Sequence, residues 1–165
     1  MAFKGRVWKF GDDVNTDLII PGKYLDNYEP GHLAAHAMEG LSKQFAGRVR
    51  KGDFVVAGRN FGCGSSREQA VIALKYAGVS AVVARSFARI FYRNAVNLGM
   101  PVVVSSEAVT VFEEGEAAEL DMATNSFVSF DGSREAAVEP MPPHLREILD
   151  SGGLVPYVKA RLKKP

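Results

Sequence analysis

Three short apolar runs at residues 53–57 (DFVVA), 80–84 (SAVVA) and 101–104 (PVVV) are separated by two stretches with helical spacing. Runs this short and this continuously apolar are buried on both faces, as in parallel strands covered by helices. Parallel strands need long crossovers, and the intervening stretches provide them. In residues 65–76, Ala70, Val71 and Leu74 fall on one face with Ala77, and Gly78 is the stop. In the second stretch Ser86 is the expected cap. Phe87, Ile90, Phe91, Ala95 and Leu98 form the apolar face, with Gly99 and then Pro101 ending it. This β-α-β-α-β order predicts an α/β fold built on a central, mostly parallel sheet with flanking helices.

The flanks are shorter elements. Alternation over residues 3–10 predicts a strand, and Gly11, Asp12 and Asp13 a turn. Residues 14–20 read as a short strand or an ordered loop, residues 24–31 as a loop, and residues 32–39 as a short helix. Beyond Ser105, residues 108–112, 119–122 and 127–130 read as short antiparallel strands forming a β-rich second layer. Helices are expected at residues 144–150 and 154–162, followed by a tail of Lys163, Lys164 and Pro165. No repeat or linker interrupts the chain, so residues 1–165 are expected to form a single domain.

Composition narrows the function. The chain is 47% hydrophobic and 24% charged, which are globular values. Twenty Lys and Arg against nineteen Asp and Glu give a net charge of +1, not the basic excess of a nucleic-acid binder. The single cysteine, Cys63, allows no internal disulfide and fits a reducing compartment. It also cannot hold an iron–sulfur cluster, which takes about four thiolates. There is no signal-peptide core and no run approaching the ~20 residues of a membrane span. The expectation is a cytoplasmic protein with no membrane and no nucleic-acid partner.

The chemistry-bearing candidate is Asn60-Phe61-Gly62-Cys63-Gly64-Ser65-Ser66-Arg67-Glu68-Gln69-Ala70. It follows a buried strand and opens a helix, where α/β proteins bind ligands. Glycines allow close backbone approach, helix-terminal amides favour an anion, and two hydroxyls and a guanidinium stand at the same place. Phosphate-loop and dinucleotide fingerprints are absent, because no lysine precedes Ser65 and Arg67 stands at the third glycine position. The same residues also read as a capping box, with Ser65 as N-cap and Glu68 three residues on. A cap uses one serine and leaves Ser66 and Arg67 over.

Weaker candidates are Asn15, Thr16 and Asp17, which are turn formers or the holders of a site group. His32 and His36 stand at i,i+4 without a zinc-protease glutamate or a third ligand. Arg85, Arg89 and Arg93 form a basic stripe, either a solvated face or a contact for an anionic substrate or partner. Cys63 lies beside a helix N-terminus, which can lower a thiol pKa, or it simply packs.

Three motifs then appear in order: Asn15-Thr16-Asp17-x-Ile19-Ile20-Pro21, the loop from Gly62 to Ala70, and Ser86-Phe87-Ala88-Arg89-Ile90-Phe91-Tyr92-Arg93-Asn94. Over nearly its whole length the chain resembles 3-isopropylmalate dehydratase small subunits, in the short archaeal-type group that includes homoaconitase small subunits. The resemblance implies the swivelling β/β/α domain of the aconitase superfamily and a heteromeric hydro-lyase acting on a small hydroxy-diacid. The large subunit would carry a [4Fe–4S] cluster and most catalytic residues; no cofactor and no metal site are expected in this chain. By motif, Ser65 resembles the serine that acts as base, and Ser66 and Arg67 the substrate-carboxylate contacts. Thr16 and Asp17 belong to the same substrate-binding set, with Asp17 behind the serine. The loop Tyr24-Leu25-Asp26-Asn27 occupies the place that sets specificity. Homoaconitase-like members have an arginine there; Asp26 here would repel a third carboxylate.

Overall fold

The computed structural model describes residues 1–163; Lys164 and Pro165 of the expected tail lie outside the described residues. The chain runs β1 (Ala2–Lys9), α1 (Thr16–Ile19), a 3-10 turn (Gly22–Tyr24), α2 (Pro30–Ala35), α3 (Phe45–Arg48) and β2 (Phe54–Ala57). It continues α4 (Glu68–Ala77), β3 (Ala81–Ala84), α5 (Arg89–Asn97), β4 (Val102–Val104) and α6 (Ala108–Val111). The last elements are β5 (Ala117–Asp121), β6 (Ser126–Ser129), β7 (Glu135–Ala137), α7 (Pro143–Asp150) and α8 (Leu154–Leu162).

One seven-stranded sheet has the order β4-β3-β2-β1-β5-β6-β7. β1 to β4 pair in parallel, with Val7 opposite Phe54, Val55 opposite Val82 and Val83 opposite Val103. Every residue of β2 and β3 is buried, as their unbroken apolar runs require. β5, β6 and β7 are antiparallel and alternate buried with partly exposed positions. The expected second layer is thus continuous with the first through β1.

The sheet is strongly curled. Phe54 on β2 and Phe127 on β6 are three strand spacings apart, roughly 14 Å in a flat sheet. Their ring centroids nevertheless lie 5.2 Å apart, and Phe112 closes on Phe127 at 4.3 Å. The two ends of the sheet even meet. Glu139 donates its backbone N–H to the Val104 carbonyl at 2.8 Å, and the Ser105 hydroxyl donates to the Ala137 carbonyl at 2.8 Å. Joining the edges this way covers backbone groups that would otherwise template a foreign strand.

Several sequence expectations change, among them the helix at residues 32–39, which forms as Pro30–Ala35. Residues 108–112 form the one-turn helix α6, not a strand. Their β-branched residues suggest extension, but the Ser105 hydroxyl accepts the Ala108 N–H at 3.2 Å and the turn seats Ala108 and Phe112 in the core. Residues 16–19 are also helical, because the Asn15 side chain accepts the Leu18 N–H at 3.0 Å. Helix α5 starts at Arg89, not behind Ser86, whose hydroxyl instead accepts the Asn60 N–H at 2.8 Å. Ile90, expected on the buried face of α5, is 52% exposed. Strand β7 was not foreseen. Among the described residues no helix is long and apolar enough to cross a membrane.

Candidate functional site

Parallel strands present their C-terminal ends along one edge, so the loops after β1, β2 and β3 lie side by side. Here they are stitched together. Asp13 donates to the Arg59 carbonyl at 2.8 Å, Gly62 to Val14 at 2.8 Å and Thr16 to Cys63 at 2.8 Å. On the other side Phe61 donates to Ser86 at 3.0 Å and Ala88 to Phe61 at 2.9 Å. The β2–α4 loop is therefore a strap held on both sides by isolated parallel bridges, Asn15 with Cys63 and Phe61 with Phe87. Gly62 is the position that only glycine fits. Its φ is +80°, and a Cβ there would lie 2.2 Å from Cγ of Phe91.

The strap delivers Ser65 and Ser66 to the surface, where both are exposed. The capping box is not formed. Helix α4 begins at Glu68, three residues later than expected, and extended Arg67 (φ −135°, ψ 102°) is its cap residue without a side-chain cap bond. The reason is tertiary. The buried Thr16 hydroxyl donates to the Ser65 carbonyl at 2.9 Å, and Arg67 reaches across to the 17–20 turn. These contacts hold Arg67 extended and leave Ser65 outside the helix.

Arg67 is pinned. Its Nη1 donates to Asp17 Oδ1 at 3.1 Å and to the Ile20 carbonyl at 3.1 Å. The side chain is 18% exposed while Asp17 is 65% exposed. Asp17 also accepts the Gly22 N–H at 3.1 Å. The hydrogen bond from Arg67, with the Gly22 amide, holds the Asp17 carboxyl below its ordinary 3.8. Nη2 of Arg67 lies on the Gly22 side, 3.9 Å from where a Cβ of that glycine would sit. Thr16, expected among the substrate contacts, is instead 2% exposed with its hydroxyl committed to Ser65. Cys63 is half-buried, and burial followed by the Asp13 charge pushes its thiol up, opposite to the lowering that a helix N-terminus suggested.

The loop Tyr24-Leu25-Asp26-Asn27 starts at the same place, since Gly22 ties its 3-10 turn to Asp17. Leu25 packs on the core, and Asp26 and Asn27 are exposed. Asn27 Oδ1 accepts the Glu29 N–H at 3.0 Å. Behind it lies a group the sequence reading missed. The Tyr24 hydroxyl donates to Glu39 at 2.7 Å, His36 stacks on the Tyr24 ring at 3.6 Å and also meets Glu39 at 2.6 Å. Bonds from Tyr24 and then His36 hold the Glu39 carboxyl below its usual range. No local pattern joins Tyr24 to a residue fifteen positions on.

The donor set does not fit a cluster or a metal. Cys63 is the one cysteine of the chain, and among the described residues no three His, Cys, Asp or Glu side chains converge. What the arrangement offers is two free hydroxyls, a fixed guanidinium and the amides opening α4, a setting suited to a carboxylate or a developing oxyanion.

Comparison with known proteins agrees with this fold. The aconitase C-terminal domain matches residues 12–107. The 3-isopropylmalate dehydratase small subunit of Caldicellulosiruptor saccharolyticus is 49% identical, over 99% of this chain and 95% of that protein. The methanogen homoaconitase small subunit of Methanothermobacter thermautotrophicus is 50% identical, over 92% of this chain and 88% of that protein. The crystal structure of 3-isopropylmalate dehydratase from Methanocaldococcus jannaschii superposes with a TM-score of 0.93 at 49% identity, covering 98% of this chain and 96% of that one.

The Arg67–Asp17 pair has a pH signature. A carboxyl whose folded pKa is depressed stabilises the fold above its unfolded value of 3.8, and that contribution is lost as pH falls through the folded value. Titration of Asp17 by carboxyl-carbon NMR should give a midpoint below 3.8, moving back up toward 3.8 in Arg67→Gln. An Asp17 midpoint indifferent to Arg67→Gln would remove the pair.

Proposed function

The chain belongs to the aconitase C-terminal domain family, among the small subunits of its dehydratases, and from this we propose that it is the small subunit of 3-isopropylmalate dehydratase. That enzyme is a heteromeric hydro-lyase of leucine biosynthesis, interconverting 3- and 2-isopropylmalate by dehydration and rehydration. The observation that carries the reading is the strap itself. Ser65 and Ser66 are free and exposed beside a pinned arginine, in a chain that matches dehydratase small subunits along nearly its full length.

In this reading Ser65 removes the proton from the carbon next to a carboxylate, and hydroxide leaves the neighbouring carbon. Water returns with the positions exchanged. A serine is a weak base at its ordinary pKa, so its alkoxide needs stabilisation. The N-terminal amides of α4 and the Arg67 charge supply it. Ser66 and the outer nitrogen of Arg67 receive the substrate carboxylate. Thr16 and Asp17 act one step behind: Thr16 holds the Ser65 carbonyl, and Asp17 fixes the plane of the guanidinium. The large subunit contributes the [4Fe–4S] cluster and the remaining catalytic groups. The complex works in the cytoplasm, and its substrate is a small hydroxy-diacid.

The Tyr24-Leu25-Asp26-Asn27 loop selects the acid. An exposed carboxylate at Asp26 sets a negative charge where a third substrate carboxylate would lie, which favours isopropylmalate over homoaconitate.

The test of Ser65 uses the complex reconstituted with the large subunit. Ser65→Ala should lower turnover by about 10²–10⁴-fold, the range for lost general acid–base catalysis. The isolated variant should lose less than the ~1 kcal/mol that removing a helix cap costs. Near-normal turnover together with a cap-sized loss of stability would return Ser65 to a purely structural part.

For the loop, Asp26→Arg should raise kcat/KM for homoaconitate relative to isopropylmalate, because a bidentate partner replaces a repelling charge. The ratio of two substrates is insensitive to a general loss of active enzyme. An unchanged ratio would take specificity away from this loop.

A further inference from the structure

The three arginines expected as one helical stripe are split, Arg85 lying in the loop before α5 and Arg89 and Arg93 on it, and they serve neither the core nor the serine strap. Arg85, Arg89 and Arg93 line one wall of a cleft of about 460 Å³ between α5, the end of β4 and α7. Phe87, Tyr92, Val96 and Leu145 make its apolar floor. Arg89 and Arg93 are exposed. Among the described residues, none of the three guanidinium groups forms an ion pair, as is true of most arginines here, so what sets these apart is their sharing of one cleft. Arg85 donates from Nη2 to the Thr110 hydroxyl at 2.6 Å, but its buried Nε has no partner. A buried donor without an acceptor is costly, and three unpaired cations around one cleft repel each other. The arrangement is relieved by an anion.

The position says which kind. Arg85 donates its backbone N–H to the Gly58 carbonyl at 3.0 Å, and Phe87 bridges to Phe61, so the cleft adjoins the serine strap. Ser65 and Ser66 stand open at that edge. A dehydratase site has to be closed over its substrate, and the cover comes from the subunit that brings the remaining groups. That subunit therefore reaches the edge on which the cleft opens. Ile90, 52% exposed in the first turn of α5, adds an apolar residue to the same helix. An apolar floor with a cationic wall is matched by a chain segment that carries both an apolar side chain and carboxylates.

We propose that the α5 cleft is a docking site for the large subunit, and that an acidic segment of that subunit enters it with an apolar side chain on the Phe87–Tyr92 floor. The proposal rests on the two-subunit reading above. Charge pairs at such an edge set association rate and partner choice, so they are read out in assembly and its salt dependence.

The experiment measures the Kd between this chain and its large subunit by titration calorimetry, from about 50 to about 300 mM NaCl. The unaltered chain should bind more weakly as salt rises. The double variant Arg89→Glu with Arg93→Glu should raise Kd at low salt by about tenfold or more and flatten the salt response. Arg89→Lys with Arg93→Lys, which keeps the charges, should bind within about threefold of the unaltered chain. Both arginines are exposed, so the isolated variants should melt as the parent does. Equal Kd values for the parent and the charge-reversed chain overturn the proposal. So does tight binding of free isopropylmalate in the cleft of the isolated chain, abolished by charge reversal while assembly is unaffected, because that makes the cleft a small-molecule site. An unaltered chain that fails to bind the large subunit at all removes the two-subunit reading and this proposal with it. Normal assembly and turnover with an indifferent cleft removes the proposal alone.

Discussion

The backbone stitch between the loop after β1 and the loop after β2 is the constraint on which the site depends. Bonds of 2.8 Å at Asp13, Gly62 and Thr16 run the two loops alongside each other like a short extension of the parallel sheet. A loop so bound cannot also coil into the first turn of α4. Gly62 permits the approach because it carries no Cβ to meet Phe91, and Gly64, at φ +93°, turns the chain outward just before Ser65. The curled sheet supplies the platform: β2 and β3 are buried on both faces, and the β1–β3 loops must therefore emerge at their ends.

From that stitch the chemistry follows. Two serines ahead of the helix keep their hydroxyls available, where a helix cap would occupy one with backbone amides. Arg67, which could swing freely from an exposed helix terminus, is fixed by Asp17 and by the Ile20 carbonyl, so its remaining nitrogen has a defined direction. Asp17 is in turn fixed by Gly22, which starts the turn leading to Asp26. Ser65, Arg67 and the loop proposed to select the acid thus hang from one set of contacts. Asp26, Ser65 and Ser66 are all exposed.

The sequence made much of this readable where chemistry is local. The three unbroken apolar runs became β2, β3 and β4, and residues 154–162 form α8 at the limits their spacing predicts. Gly78 and Gly99 do follow helices, both at positive φ. What failed was decided by distant partners. Ser65 and Ser86 both look like caps, yet Thr16 lies 49 residues from Ser65 and Asn60 lies 26 from Ser86. The strand-like residues 108–112 turned helical because Ala108 and Phe112 had core sites to fill. Within the site, motif resemblance named Ser65, Ser66, Arg67, Thr16 and Asp17 together. Their division into exposed and supporting residues, and the Tyr24–His36–Glu39 group behind the loop, could come only from three-dimensional contacts.

The Thr16 hydroxyl holds the Ser65 carbonyl at 2.9 Å, and under the proposed function that bond positions the serine loop for catalysis. That role is tested most directly by kcat and KM of the assembled enzyme carrying Thr16→Val, with Thr16→Ser beside it. Valine keeps the shape and removes the donor; serine keeps the donor. Thr16→Val should lower kcat by about 10- to 100-fold with KM little changed, the scale of a slightly misplaced catalytic group, and Thr16→Ser should restore most of it. Equal kcat in Thr16→Val and the parent, measured in a complex where Ser65→Ala is inactive, would contradict it.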